Sequence, residues 1–536
     1  MDTIYNKITV NGKTLIDISS DTVDAEHLMQ GYTAHDSSGV QIIGTATNSG
    51  GVPNIYQDEN GVLILDSEST EVGEWKRPLN WMPYADGWDD DDFDGCYFVY
   101  DLIDNTSDLE YPQWWALYGR TDTGQFTVDC GYVDESGVFT VDETYSVNGG
   151  NRTGGFLPIW DGITLNERYY VVRITPTTGH LLNVSFSYLN NSQYAEKYSG
   201  ASLNSPGSNI QYQPCVELYG RLPYYTNADY EGRFQNYNLK HVYLLDMTSL
   251  TKLTCMFRYC YMLEKIDGME TWDTSAVVNM EYMFADCFSL TSLEGIENFD
   301  VINVQNLTYT FSNLGKIKDL NLGNWILSQT PIISYLFRGS AFKKVILPSG
   351  LIGTENQSDM FRDCHCLKDI DFNGSIIRLA SYTFNGCNSL NIDTTSPSII
   401  TSTSNMNSEF LNNYMLKRID LRGKDTSAVT IMANFANNCC SLQSADFTGC
   451  DFSAVTNTNT DMFSNCYSLV ELKGFVYYQS FKLPQSTLMP AENLVEVLTN
   501  LPTVGSAKTI TLGTTNKNKL TAEQIAIATE KGWTVA

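Results

Sequence analysis

The strongest pattern in the chain is a phenylalanine that returns at near-constant intervals: Phe257, Phe284, Phe311, Phe337, Phe361, Phe384, Phe410, Phe435 and Phe463, with spacings of 27, 27, 26, 24, 23, 26, 25 and 28 residues. A turn of small and polar residues, often with Met, precedes each one. Three residues later stands Cys in five of the nine units (Cys260, Cys287, Cys364, Cys387 and Cys466), with Leu, Ser or Asn in the others. An apolar-x-x-apolar-x-apolar run follows, as in Ile317, Leu320, Leu322, in Leu367, Ile370, Phe372 and in Leu416, Ile419, Leu421; the first such run is Leu239, Val242, Leu244. Period-2 alternation in so short a unit predicts one strand per repeat and no way to bury its apolar side alone. Stacked coils solve that problem. Each then contributes a strand to a continuous parallel sheet, the Phe and Cys side chains form interior columns, and the outer sheet face stays open to solvent.

The units MFRYC, MFADCFSL, MFRDCHCL, TFNGCNSL and MFSNCYSL, with WDTSAVVNM at 272–280 and DTSAVTIM at 425–432, resemble BspA-like leucine-rich repeats. That resemblance implies a leucine-rich-repeat solenoid over 236–475 and an association with cell-surface adhesion. The units at Phe311, Phe337 and Phe410 depart from it by lacking the Cys. Beyond the last coil, LMPAENLVEVLTNL predicts a helix, with Pro490 in its first turn and Leu494, Val497, Leu498 and Leu501 on one face. KTITLG then reads as a strand, and Thr521 with Gln524 has capping-box spacing before a helix that stops at Gly532. Residues 476–536 are therefore expected to form an α/β cap on the solenoid. Their ending, ITLGTTNKNKLTAEQIAIATEKGWTV, resembles the tails of repeat proteins found in phage genomes.

Residues 1–47 read as a small α+β module: ITVNGKTLI turns at Asn-Gly, TVDAEHLMQG is a short helix stopped at Gly31, and GVQIIGTA is a further strand. The run LMQGYTAHDSSGVQIIGT resembles a module near the N-termini of phage tail and tail-fibre proteins, where it serves attachment or spacing. Asn48, Ser49, Gly50 and Gly51 begin a flexible linker, residues 48–53.

From 54 to 235, strand-like segments such as CYFVYDL, GQFTVDCGYV, GVFTVDETYSV and YYVVRITP alternate with Gly, Asn and Asp turns, predicting a lectin-like β-sandwich. This region holds six of the nine tryptophans. Core packing accounts for most large aromatics, and a ring at a rim can instead stack on a sugar. Trp81, Trp88, Trp114, Trp115 and Trp160 are the candidate ligand platforms. Trp114 and Trp115 would point to opposite faces of a strand, so at most one of them serves. WDDDDFDG places Asp90, Asp92 and Asp94 with Asp101 at calcium-loop spacing. The segment that follows reads as a strand rather than a helix, so a solvated acidic turn is favoured over a calcium site; no other cofactor is expected.

Charge narrows the partners. The chain has 536 residues, with 62 acidic against 33 basic side chains and a formal charge of −29, which repels nucleic acid and anionic membranes. The N-terminus lacks a basic segment followed by an apolar one, and no apolar run is long enough to span a bilayer, so neither secretion by a signal peptide nor membrane insertion is expected. The thirteen cysteines, mostly inside repeats, read as free buried thiols. The five histidines fall in no metal or triad motif, and Cys364-His365-Cys366 and Cys439-Cys440 lie in repeat turns where Cys already has a packing role. No hydrolase or phosphate-loop signature appears, so a non-enzyme is expected. The combined reading is a virion protein of the phage receptor-binding or tail-fibre type. It would bind host glycan or surface protein, join other virion proteins through residues 1–47, and form a homotrimer like the tail proteins it resembles. A head fibre or decoration protein, a bacterial BspA-like adhesin and a polysaccharide depolymerase are the alternatives.

Overall fold

The computed structural model describes residues 234–536, apart from 328–330, 353–356, 402 and 459–460, together with the strands and short flanking segments named below for the earlier part of the chain. The chain divides into two compact units, Met1–Pro78 and Leu79–Ala536. In the first, three antiparallel hairpins are described: Lys7–Val10 with Lys13–Asp17, Thr33–His35 with Gln41–Ile43, and Asn54–Gln57 with Leu63–Asp66. The hairpin at Asn11-Gly12 is where the turn chemistry placed it. The expected helix over 22–31 lies outside the described residues.

In the second unit a seven-stranded mixed sheet runs in the order Phe139–Asn148, Gln125–Val133, Tyr169–Pro176, Gly95–Asp101, Cys215–Arg221, His241–Leu245, Lys265–Asp267. Its first five strands pair antiparallel, and the last two join in parallel. The first two strands of the solenoid are thus hydrogen-bonded onto the edge of the preceding sheet, with Leu218 opposite Val242 and Val242 opposite Ile266. This covers a sheet edge that would otherwise present unpaired N–H and C=O groups. Leu117–Thr121 and Leu181–Phe186 form a separate antiparallel pair.

From there the chain winds a β-solenoid of about twelve turns. Beyond the first sheet the parallel strands are short and come in groups rather than one unbroken sheet: Asp319–Asn321, Lys344–Ile346 and Asp369–Asp371, then the pair Ile377–Arg378 and Ile399–Ile400, then Arg418–Asp420, Ser444–Asp446 and Glu471–Lys473. Near 291–293 and 391–395 the coils form no strand at the equivalent place, which corrects the expectation of a continuous sheet. What runs without interruption is the interior. Phe234, Phe257, Phe284, Phe311, Phe337, Phe361, Phe384 and Phe410 stack in one column with successive centroids 5.9, 6.0, 5.9, 6.0, 5.0, 5.6 and 6.2 Å apart and interplanar angles of 24° or less.

The next rung differs from expectation. Phe410 N–H donates to the carbonyl of Phe435, and Ala436 N–H to that of Met462, so Ala436 and not Phe435 holds the column position. The backbone confirms the register: the residue two after each rung is left-handed, from Tyr259 (φ 65°) through Asp286, Asn313, Gly339, Asp363, Gly386 and Asn412 to Asn438 (φ 64°) and Asn465. Phe435 is displaced into the position usually held by Met and meets Phe410 edge-on at 85°. Phe447 bridges Phe435 and Phe463. With Ala436 as the rung, Cys439 joins the cysteine column three residues on.

That column does more than fill space. Cys260, Cys287, Cys364, Cys387 and Cys439 donate their thiols to the carbonyls of Phe234, Phe257, Phe337, Phe361 and Phe410, one coil earlier, at 3.0–3.2 Å. Ser340 does the same toward Phe311 at 2.6 Å. Each side chain ties its coil to the one before; the carbonyls of Phe257, Phe337, Phe361 and Phe410 also accept the N–H three residues on, so there the thiol adds a second bond.

The Asp-Thr-Ser segments have an equally specific cause. Asp273 and Asp425 accept from the backbone and hydroxyl of Ser275 and Ser427, closing Asx turns. The intervening Thr274 and Thr426 bond both the N–H and the carbonyl of the Asp one coil on, Asp300 and Asp451. The C-terminal cap buries Leu494, Val497 and Leu498 from helix Ala491–Asn500. It closes with parallel strands Phe481–Lys482, Lys508–Thr511 and Trp533–Val535. Pro490 stands just before the helix rather than within its first turn, and the Thr521–Gln524 capping box is formed.

Candidate functional site

Because the interior columns consume Phe, Cys, Met and Leu, only the outer positions of each coil are available for recognition. The sequence-derived candidates Trp81, Trp88, Trp114, Trp115 and Trp160, and Asp90, Asp92 and Asp94, lie outside the described residues. Asp101 ends the strand Gly95–Asp101, and its side chain also lies outside them. Among the described residues no group of three or more His, Cys, Asp or Glu side chains is arranged to hold a metal ion. Nor is any helix among them long and apolar enough to cross a membrane.

All thirteen cysteines are free thiols, ten of them buried. Burial pushes the Cys260 thiol up to about 12 and the Cys287, Cys364 and Cys387 thiols far above their ordinary value, so these are inert donors rather than nucleophiles. Cys366 alone is exposed, while its neighbour Cys364 belongs to the interior column. His365 Nδ1 faces the carbonyl of Gly386 at 2.7 Å, and His241 Nε2 faces Asp267 Oδ2 at 2.7 Å.

Three features of the outer surface were not apparent from the sequence. On one flank Tyr282, Tyr309 and Tyr335 stack at 4.7 and 4.4 Å, nearly parallel. The guanidinium of Arg258 lies 4.0 Å from the Tyr282 ring centre. All three tyrosines have left-handed backbone, φ 57–61°, an uncommon conformation for so bulky a residue. The turn itself imposes it, since Cys255, Asp359, Ser408 and Asn434 at the equivalent position of other coils are left-handed too.

At the corner that follows the Cys column, a second ladder forms. Tyr237 stacks on Tyr261 at 4.4 Å, and Tyr261 on Phe288 at 5.4 Å. Phe288 is 47% exposed. In the coil beyond, the equivalent residue is Gly315, where an added Cβ would come within 2.7 Å of the Phe288 carbonyl oxygen. Close approach of the two backbones therefore demands glycine, and the ladder stops with no side chain from that position on the outer face of Phe288.

The third feature begins at the next residue. Lys316, Lys318, Lys344 and Lys368 are exposed and Lys343 is half-buried. Lys343 N–H donates to the Lys318 carbonyl and Lys368 N–H to the Lys343 carbonyl, which puts these three lysines in one column on three successive coils. Lys344 pairs with Asp369 at 3.6 Å. Residues 315–371 carry seven Lys and Arg against six Asp and Glu, whereas the whole chain carries 33 against 62.

Two solved structures are similar to the chain at 16% sequence identity. A leucine-rich repeat protein from Bacteroides ovatus ATCC 8483 aligns over 48% of this chain and 82% of its own, with a TM-score of 0.22. A leucine rich cell surface protein from Faecalibacterium prausnitzii A2-165 aligns over 50% and 71%, with a TM-score of 0.20. No curated protein matches. Residues 228–348 match a family described as Mycoplasma protein of unknown function, DUF285. Over residues 330–470 the coils match, in six copies, the family described as BspA type Leucine rich repeat region.

Proposed function

We propose that this chain is a non-enzymatic surface-recognition protein, carried on a phage as a receptor-binding or tail-fibre-type component, that attaches to host glycan or surface protein through the outer positions of its coils. One observation carries the reading: the interior columns fix every coil in the same geometry, so side chains outside them recur at a coil spacing of about 4.8 Å and form an extended, regular face. Weak contacts repeated along such a face, and again across the subunits of a trimer, add through multivalency.

Carriage on a virion rests on the resemblance of residues 1–47 and of the C-terminal ending to phage proteins. A bacterial surface adhesin is the second reading, favoured by the BspA type match over 330–470. Fluorescently labelled full-length protein should be retained, saturably, on some members of a panel of bacterial cells. Failure to bind any of them at micromolar concentration overturns the recognition role. Immunogold label on phage tails supports virion carriage; label confined to the bacterial envelope selects the adhesin.

A further inference from the structure

From the ladder that ends on Phe288 and the lysine strip that begins beside it, we infer a binding site for a linear polysaccharide bearing carboxylate groups; the inference rests on, and sharpens, the recognition role proposed above. Two observations of different kinds converge on one edge of the solenoid. Tyr237, Tyr261 and Phe288 form a stacked, rigid apolar series, and Gly315 leaves its last ring with room for one more flat apolar surface. The C–H face of a pyranose ring is such a surface, and stacking against an aromatic ring that is already fixed costs little conformational entropy. A sugar placed there lies over the coil of Gly315, directly beside Lys316.

Lys318 lies on that same coil, and the next sugars along the edge meet Lys343 and then Lys368, each one coil further, about 4.8 Å apart at the backbone. Among the described residues none of Lys316, Lys318, Lys343 and Lys368 forms a side-chain ion pair. Their ammonium groups are therefore available to an anion. Asp319, Asp369 and Asp371 share the strands and reduce the local charge without reversing it.

On a chain of formal charge −29, a strip of this sign is visible to a ligand only at short range. At physiological salt the Debye length is about 8 Å, so the acidic remainder of the molecule is largely screened from a ligand lying on the lysines. Neither half of the site suffices. Lysines alone would hold any polyanion, and an exposed ring alone would hold neutral sugars weakly. The combination selects a polymer that presents both a sugar face and regularly placed carboxylates.

Isothermal titration of the full-length protein tests this with three probes: an oligogalacturonate, the same oligomer with its carboxyls methyl-esterified, and inorganic polyphosphate. The oligogalacturonate should bind at least tenfold more tightly than either of the others, and its affinity should fall with added salt. Phe288→Ala and the pair Lys318→Glu, Lys343→Glu should each weaken it at least tenfold, the lysine pair also flattening the salt dependence. Phe288 and Lys318 are exposed, so unchanged thermal melting will show that the variants remain folded. No binding of the oligogalacturonate, equal binding of polyphosphate, or indifference to Phe288→Ala overturns the proposed site. Cell binding that survives both variants would leave the recognition role standing while removing this site from it; loss of oligogalacturonate binding and cell binding together supports both.

Discussion

The thiol of Cys364 donates a hydrogen bond to the carbonyl oxygen of Phe337, one coil earlier, at 3.0 Å. In the adjacent coil Ser340 makes the same bond to Phe311 with a hydroxyl. At these two positions a small side chain with a donor both packs and bonds, whereas buried Leu314 and Asn413 hold the equivalent place in their coils without that bond.

Replacing Cys364 separates the two demands. Cys364→Ser should leave stability close to that of the parent, whereas Cys364→Ala removes the bond between coils from a carbonyl that keeps only the Ser340 N–H, and should cost about 0.5–1.5 kcal/mol. Urea denaturation followed by circular dichroism measures both. If the alanine variant is as stable as the serine variant, the thiol contributes packing alone.

Thiol chemistry should report the same architecture. Under native conditions a thiol reagent should modify Cys366 first, with the half-buried Cys255 and Cys440 following. Cys260, Cys287, Cys364, Cys387 and Cys439 should react only on unfolding, because burial holds them protonated and covered. Mass spectrometry of a labelling time course resolves the order. Early labelling of Cys387 would contradict the column.

Ala436 is a small buried rung, and Phe447 packs against both its neighbour Phe435 and the next rung Phe463, so the larger ring is expected to fill space that the small rung leaves. Ala436→Phe alone should overpack the core and cost about 1–3 kcal/mol. Adding Phe447→Ala should recover part of that loss, giving a coupling energy of about 0.5–3 kcal/mol in a double-mutant cycle. Strict additivity would mean that the two side chains do not share the space.

Glu409 occupies the interior position where other coils carry Met283, Leu336 or Met360, and it is fully buried. No hydrogen bond of good geometry reaches either of its carboxyl oxygens. Burial raises its pKa well above the ordinary value of 4.5, an effect that the nearby backbone N–H groups of Thr383 and Phe384 soften and Asp359 reinforces. The native state therefore keeps a proton that the unfolded chain has lost. Stability from this group is fully present below pH 4.5 and declines as pH rises from there through the native pKa. Glu409→Met should abolish this part of the decline and, at neutral pH, stabilise the protein by about 1–3 kcal/mol. Denaturation at several pH values from 4 to 8 checks it; parallel pH profiles for parent and variant would refute it.

The solenoid was legible because its period and its apolar residues are one and the same signal: a Phe buried in every coil must recur with the length of the coil. The C-terminal cap was legible for a local reason, since the Thr521–Gln524 box is chemistry within a single turn. Phe435 misled because a phenylalanine one residue from its expected place preserves the period almost perfectly. Only the hydrogen bonds to neighbouring coils and the left-handed residue Asn438 reveal Ala436 as the rung. The aromatic and lysine features of the outer surface carried no comparable signal. Tyr261 and Phe288 share a place directly after the column Cys, but Tyr237 precedes the first repeat unit and the later coils do not continue the series, so the ladder becomes visible only when the coils are stacked.

What the sequence determined by itself, then, is the coil: its length, its interior residues, its turn chemistry and the need to stack. Those are set by short-range geometry and by the requirement that apolar side chains leave water. What only the tertiary structure decided is the register between coils and the junction with the preceding sheet, where Leu218 lies opposite Val242. The edge where Phe288 meets Gly315 and Lys316 belongs with them. Each depends on which residues 20 to 30 positions apart are brought to a common height, and no local preference encodes that alignment.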